Sequence, residues 1–429
     1  GWQQLPDTIA LWSIQGRDDL VMPRGFAMDL VDGLAEIGEE VEWDDQRAFR
    51  AKFRVGHRVE PRNHQGAAVQ AILDHEQGIY KAPAGSGKTV AVLIAIWRLA
   101  CKSLVIVNTK DIVWQWQERV RDFLGEHYPV GQIGDGVFEV SPYITIATAQ
   151  TLHSRYESLE REGFFDQFGF VCLDECHHAT AETYNRVLNR FSSRYRIGVS
   201  ATPDKTGDFA LATNVLGPIF HTTHPREVKE LLVPEVVRVP TKFHFGFRGG
   251  RGGRRSNYGP MIDALINNSA RNELIVRHVK ENVGHHQLVV SKRLAHIDLL
   301  RDMLLDDDFP DPIVTITGQD DNDSRRQAKA LAEESPCVIF STLADEAMDI
   351  PRLDRLHLPF PQKNAGLVTQ QVGRVERKHP EKQDAVIYDY ADLNVKPLES
   401  QWRTRRFEVY EPRGYKIHLL RHSGQIVTA

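Results

Sequence analysis

Apolar residues are not spread evenly along this chain. After position 80 they gather in short runs, LVIV at 104–107, YITIA at 143–147, FVCL at 170–173 and IGV at 197–199, each followed by a polar turn and a longer mixed segment. The runs are rich in β-branched residues and do not alternate with polar ones, which is how strands buried on both faces of a parallel sheet read. Helix-length segments such as 112–123 lie between them. A second series follows, LVV at 288–290, IVTI at 313–316, VIF at 338–340, LHL at 356–358 and AVIY at 385–388, with helix-length stretches such as 323–333 in between. Alternating strand and helix predict doubly wound α/β layers, and two such series predict two α/β domains in tandem. The pattern lapses between 225 and 261, where VVRVP gives way to the Gly/Arg stretch GFRGGRGGRRSNYG. The expected division is a small N-terminal region at 1–58, a first domain at 59–224, a linker at 225–260, a second domain at 261–395 and a tail at 396–429.

Composition narrows the class. Of 429 residues 41% are hydrophobic and 26% charged, which excludes a largely disordered chain. The four cysteines form no CxxC pair, so neither a disulfide scaffold nor structural zinc is expected; Cys172 should pack in a sheet and Cys176 is expected to be structural. The longest apolar run, 90–97, falls short of the roughly 18 residues that suggest a membrane span. No basic stretch leading into an apolar one opens the sequence, so no secretion signal and no membrane partner are expected, and the expected compartment is the cytoplasm. The net charge of −5 speaks at first against a polyanionic partner. Residues 1–60 hold 12 acids and 7 bases, however, which leaves the rest of the chain balanced. Two stretches are locally basic: five bases and no acid at 242–255, and seven bases against three acids at 396–421. Binding depends on where charge sits rather than on its sum.

The chemistry is concentrated in two places. KAPAGSGKT at 81–89 follows a short predicted strand and precedes the apolar helix VAVLIAIW. Gly85 and Gly87 allow successive backbone N–H groups to face phosphate oxygens, and a helix N-terminus adds partial positive charge there. Lys88 would reach the outer phosphates and the Thr89 hydroxyl would ligate Mg²⁺. FVCLDECHH at 170–178 places Asp174 and Glu175 just past a buried strand, where ligands of open α/β sheets sit. One carboxylate there would hold Mg²⁺, and its neighbour would orient or deprotonate an attacking water.

APAGSGKT, DECH, SATP at 200–203 and QQVGRVER at 370–377 occur in this order. Together they resemble superfamily 2 helicases and translocases of the DEAD/DEAH-box type, in particular the XPB/Rad25-like and type III restriction-motor branch. The resemblance runs over about residues 60 to 395. The chain lacks the PTREL and HRxGRxGR of DEAD-box RNA helicases, carrying VNTKDIVWQW and QQVGRVER instead. The resemblance implies two RecA-like domains that bind ATP and Mg²⁺ between them. It implies a catalytic set of Lys88, Asp174, Glu175, Gln370, Arg374 and Arg377, with Thr89 and Asp174 as metal ligands. The spacing of Gln370, Arg374 and Arg377 places them on one face of a helix. The loop residues Ala84, Gly85, Ser86, Gly87, Lys88 and Thr89 would cradle the phosphates. Arg62 and Gln65 of RNHQ resemble an adenine-recognising stretch, and Asp349 of STLADEAMDIP a nucleotide contact. His177, Ser200 and Thr202 would couple the ATP site to the second domain, while His178 reads as structural.

A motor of this kind needs a track of phosphate contacts. Thr109, Lys110, Thr148 and Gln150 in the first domain, and Thr317, Gly318 and Thr342 in the second, follow predicted strands and are candidates. Arg251, Arg254 and Arg255 belong to a cationic loop that reads equally as a nucleic-acid arm or as a solvated linker. The basic, aromatic tail either extends the track or docks as a helix, docking being favoured. The stretch VMPRGFAMDLVDGLAEIG at 21–38 suits a turn followed by an amphipathic helix, with substrate recognition or protein interaction as its role. The expected function is ATP-driven movement on nucleic acid, DNA favoured over RNA. The alternatives are a motor subunit of a larger restriction, repair or phage-defence complex, with protein partners, and a non-hydrolysing ATP-gated clamp.

Overall fold

A computed structural model describes residues 13–15, 19–49, 60–126, 128–180, 182–203, 209–229, 231–246, 258–306, 308–320, 322–342, 350–420 and 426–428. The chain divides into two compact units, residues 1–83 with 87–224 and residues 84–86 with 225–429. In the first, β1 (Ser13–Gln15) and β2 (Asp19–Val21) form a small hairpin, followed by α1 (Ala27–Glu36) and α2 (Asn63–His75). Then come β3 (Gln77–Lys81), α3 (Lys88–Leu99), β4 (Ser103–Val107), α4 (Lys110–Leu124), β5 (Val130–Gly134), β6 (Val137–Glu139) and β7 (Ile144–Thr148). They continue as α5 (Ala149–Ser154), α6 (Tyr156–Arg161), β8 (Phe170–Asp174), α7 (Glu182–Arg190), β9 (Tyr195–Ser200), α8 (Phe209–Leu216) and β10 (Ile219–Thr222). The strands lie in the order β10-β3-β9-β8-β4-β7-β5-β6. Within this sheet, among the described residues, only the β5/β6 pair is antiparallel.

The unbroken apolar runs are explained by this layering. Along β4, Val105 and Val107 pack into one core with α3 and α4, while Leu104 and Ile106 pack into the core on the other face. A strand that shows apolar side chains to both faces needs no polar alternation. Cys172 and Cys176 are fully buried, and burial pushes both thiols well above their usual range.

The second unit repeats the plan with β11 (Glu235–Pro240), α9 (Tyr258–Ile266), α10 (Ser269–Lys280), β12 (His286–Val290), α11 (Leu294–Leu305), β13 (Ile313–Ile316), α12 (Asn322–Glu334) and β14 (Cys337–Ser341). It closes with β15 (Arg355–Leu358), α13 (Ala365–Val375), β16 (Val386–Ala391), α14 (Lys396–Arg405), β17 (Lys416–Leu420) and β18 (Ile426–Thr428). The strand order is β13-β14-β12-β15-β16-β11-β17-β18, parallel except for β17/β18. Here too the faces divide by residue parity: Leu288 and Val290 enter one core, Val289 the other.

Three segments differ from, or sharpen, the sequence expectation. VVRVP, expected in a linker, is β11, an inner strand paired in parallel with both β16 and β17. Val236 and Val239 are fully buried on its two faces, which is why the run belongs in a sheet. The tail docks, as favoured: α14 buries Leu398 and Trp402, and Arg405 meets the buried Asp389 at 2.6 Å. At the N-terminal side the Pro-Arg-Gly turn is a fitted anchor. The Arg24 guanidinium donates to the carbonyls of Ser193 and Arg194, and a Cβ on Gly25 would lie 2.2 Å from the carbonyl oxygens of Thr213 and Asn214. The helix α1 that follows buries none of its side chains fully. Among the described residues no helix is long and apolar enough to cross a membrane.

Candidate active site

The strands β3, β9 and β8 lie side by side and end on one edge, with Lys81 opposite Ser200 and Asp174 opposite Val199. Because β9 lies between the other two, Ser200 falls between the loop after β3 and the acidic pair after β8. The loop enters α3 through Gly87, whose left-handed φ of 80° caps the helix at Lys88. A Cβ there would stand 2.3 Å from the Gln65 amide nitrogen, so glycine is needed for close approach as well as for conformation. Gly85 is also left-handed, with φ 75°, while Ser86 is fully buried and Ala84 and Thr89 are half-buried.

Lys88 and Glu175 form the centre. The Lys88 ammonium donates to the Ala82 carbonyl at 3.2 Å and lies 3.9 Å from Glu175 Oε1. Glu175 Oε2 accepts from Ser200 Oγ at 3.2 Å and lies 3.3 Å from His177 Nδ1. His177 Nδ1 and Ser200 Oγ are 3.2 Å apart, and the Thr202 amide donates to Ser200 Oγ at 3.1 Å. Burial opposes the charge on Glu175, but Lys88, His177 and Ser200 outweigh it and hold this carboxyl below the usual carboxylate range. Its φ of 46° is left-handed, a conformation costing a non-glycine residue about 1–2 kcal/mol and kept where surroundings over-determine it.

Asp174 is held differently. Burial first, and the neighbouring Glu175 charge second, push its carboxyl above the usual range, against the Trp116 hydrogen bond and Lys88. Trp116 Nε1 donates to Asp174 Oδ2 at 2.7 Å, and the Glu175 amide donates to Oδ1 at 2.9 Å. Two adjacent carboxyls thus have their affinities for protons driven apart, the arrangement expected where two acids take separate roles. Asp174 and Thr89 offer hard oxygen donors, a set that fits Mg²⁺.

The sequence gives no direct sign of Trp116. Its signal is chemical: it lies on the apolar face of α4 with Ile112, Val113, Val120 and Phe123, and a buried indole N–H needs an acceptor. Asn108 and Tyr184 were also missed. Tyr184 OH donates to Asn108 Oδ1 at 2.7 Å, and Asn108 Nδ2 lies 3.3 Å from His178 Nε2, whose ring stacks on Tyr184. His178 is thereby a packed structural residue that backs His177, their ring centroids 4.2 Å apart.

Gln65 lies in the first turn of α2 and is 2% exposed. Its Oε1 accepts from the Arg62 amide at 3.0 Å, and its Nε2 lies 3.5 Å from the Gly87 carbonyl. It therefore ties the start of α2 to the phosphate-type loop. In the second unit Gln370 and Arg374 lie on α13, each 8% exposed. Arg377 does not share their helix face: α13 ends at Val375, and Arg377 forms an antiparallel bridge with Leu231. The Leu232 amide bonds to the Glu376 carbonyl at 2.6 Å, which draws the chain out of the helix before Arg377. Asp349, Arg251, Arg254 and Arg255 lie outside the described residues.

The candidate track residues fall at strand ends in both units. Thr109 and Lys110 follow β4, and Thr148 ends the neighbouring β7, with Val107 opposite Thr148. Thr109 Oγ1 is buried and has no hydrogen-bond partner among the described residues, Lys110 lies 3.5 Å from Asp135, and Gln150 is exposed. Thr148 is turned to Thr151, its hydroxyl donating at 2.8 Å. Thr317 and Gly318 follow β13 and Thr342 follows β14, where Ile316 is opposite Ser341. Thr317 is mostly buried, its amide bonded to Asp320 and its carbonyl to Arg325, while Gly318 is exposed.

A family model described as type III restriction enzyme, res subunit, matches residues 58–205. The chain is 25% identical over 359 residues to the DNA 3'-5' translocase XPB2 of Sulfurisphaera tokodaii, covering 76% of this chain and 80% of that one. It is 26% identical over 399 residues to the ATP-dependent DNA helicase uvsW of Enterobacteria phage T4, covering 86% and 76%. Among solved structures, a fragment of a putative HsdR subunit of a type I restriction enzyme from Vibrio vulnificus superposes with a TM-score of 0.62 at 20% identity, covering 87% of this chain and 71% of that one. At that identity the likeness is one of fold.

Proposed function

We propose that this chain, which resembles the superfamily 2 helicase-type enzymes in the branch of XPB/Rad25 and the restriction-enzyme res subunits, hydrolyses ATP to move along DNA. The observation that carries the proposal is the Lys88–Glu175–His177–Ser200 cluster at the ends of β3, β8 and β9. Glu175, kept ionised by Lys88, accepts the proton of the water that attacks the outer phosphate. Lys88 and the loop at 84–89 hold the phosphates. Thr89 and Asp174 would hold Mg²⁺, which when bound neutralises charge on the phosphates. Gln370, Arg374 and Arg377 act on the transferred phosphoryl group from the second unit. Ser200 and Thr202 relay the state of Glu175 into the loop that follows β9. Gln65 and Arg62 contact the base, and Asp349 contacts the nucleotide.

DNA as the track, and travel in the 3′-to-5′ direction, rest on the activities named for the relatives. The strand-end residues Thr109, Lys110, Thr148, Gln150, Thr317, Gly318 and Thr342, with Arg251, Arg254 and Arg255, are the proposed phosphate contacts. Strand displacement on DNA and RNA duplexes with single-stranded tails of either polarity tests the proposal. Displacement from 3′-tailed DNA is expected. ATP consumption without movement on any tail would instead favour a motor subunit that works inside a larger complex, as the likeness to restriction subunits allows.

A further inference from the structure

The turn that carries Arg377 is held by residues that no motif announces. Between the two arginines stands Glu376, 2% exposed. Its Oε1 accepts from Arg413 Nη1 at 2.8 Å and from Tyr415 OH at 2.5 Å, and its Oε2 lies 3.2 Å from the same Arg413 nitrogen. Its backbone carbonyl accepts from the Leu232 amide. From another side the Lys382 ammonium donates to the carbonyls of Val375 and Arg377, at 2.5 and 2.9 Å, capping the C-terminal end of α13. The backbone on both sides of Glu376 is thereby fixed by side chains from elsewhere in the unit.

A buried carboxylate is costly unless it is fully paired. Attachment of the tail does not explain this one. The tail already has its own anchor, where Arg405 makes two bonds to Asp389 and Tyr410 OH donates to Asp389 at 2.8 Å. The Glu376 cluster adds a second buried ion pair whose particular effect is to fix the segment from Arg374 to Arg377. A charge-stabilising guanidinium works only when its position is set in advance, and a misplacement of about 1 Å can cost up to a hundredfold in rate.

We propose that Glu376, Arg413 and Tyr415, together with Lys382, are positioning residues that pre-set Arg374 and Arg377 for hydrolysis, so that the C-terminal tail is a working part of the ATPase. This rests on the reading of Arg374 and Arg377 as the arginines that act on the transferred phosphate. The test compares Arg377→Ala, Tyr415→Phe, Glu376→Gln and the double variant Glu376→Gln/Arg413→Met in the full chain. The double variant removes both charges and so leaves no buried charge unpaired. Steady-state ATP turnover at saturating single-stranded DNA gives kcat and KM, and thermal melting reports folding. Arg377→Ala should abolish most turnover. Tyr415→Phe and the double variant should lower kcat by about ten- to a hundredfold, with KM for ATP and the melting temperature little changed, whereas Glu376→Gln, which leaves Arg413 buried and unpaired, should lower both kcat and the melting temperature. A folded double variant with wild-type kcat, beside an inactive Arg377→Ala, would overturn the positioning role while leaving the function intact. Wild-type kcat in Arg377→Ala would overturn both. A fall in kcat matched by a fall in melting temperature in the double variant would mark the cluster as merely structural.

Discussion

Glu175 is a carboxylate with three polar partners and a strained backbone, and each feature serves the same end. Lys88, His177 and Ser200 keep it charged, and the left-handed turn lifts it past the end of β8. Glu175→Gln preserves size and most hydrogen bonding but cannot accept a proton. It should bind ATP as wild type and turn over about 10²- to 10⁴-fold more slowly, checked by fluorescent-nucleotide titration beside phosphate release. A fully active variant would remove Glu175 from its assigned role. The neighbourhood of Lys88, Glu175, His177 and Ser200 was legible in the sequence, because each sits within two or three residues of a strand end or helix start. Trp116 was not legible, because its bond to Asp174 spans 58 residues and depends on how α4 lies on the sheet.

At the scale of elements, the runs buried on both faces gave away the inner strands of both sheets. They did not reveal the partners of β11. That strand pairs Glu235 with Val386 and with Lys416, contacts so distant along the chain that no local pattern announces them. The helix-face reading of QQVGRVER failed for a related reason: long-range bonds to 231–232 end α13 two residues before Arg377. The Gly25 anchor is a further element-scale device. Gly25→Ala drives a methyl group into the carbonyls of α8, an overpacking that costs about 1–3 kcal/mol. The expected outcome is release of the turn and α1 from the first unit. Limited proteolysis within 26–48 should accelerate, while ATP turnover stays near wild type. Unchanged protease resistance would show that the anchor does not hold the segment.

At the scale of the molecule, the second unit buries a set of neutral histidines. His357 lies between Gln287 Oε1 and Tyr390 OH at 3.0 and 3.2 Å and stacks on Tyr388, while His278 Nδ1 reaches the same Tyr390 hydroxyl. His296 lies between Ser291 and Asn272. Burial lowers their pKa values to about 4 for His278 and about 3 for His296 and His357. In the unfolded chain these groups take up protons near pH 6.5, while in the folded state they do so only near pH 3 to 4. Their stabilisation is therefore complete above pH 6.5 and is lost as the pH falls below it, reaching about 2 kcal/mol for each at pH 5, before coupling between them. Peptide-resolved hydrogen exchange at pH 7.5 and pH 5 should show the sheet around β12, β15 and β16 losing protection on acidification. Equal protection at both values would contradict the burial assigned to these rings.

The account as a whole turns on whether the cluster at Lys88 and Glu175 drives a nucleic-acid motor. The most direct measurement is the ATP turnover of the full chain with and without single-stranded DNA, alongside Lys88→Ala and over a range of salt concentrations. The predicted result is turnover that rises several-fold with DNA, loses that rise as salt increases, and is absent from Lys88→Ala. Turnover indifferent to DNA, or retained without Lys88, would contradict the account.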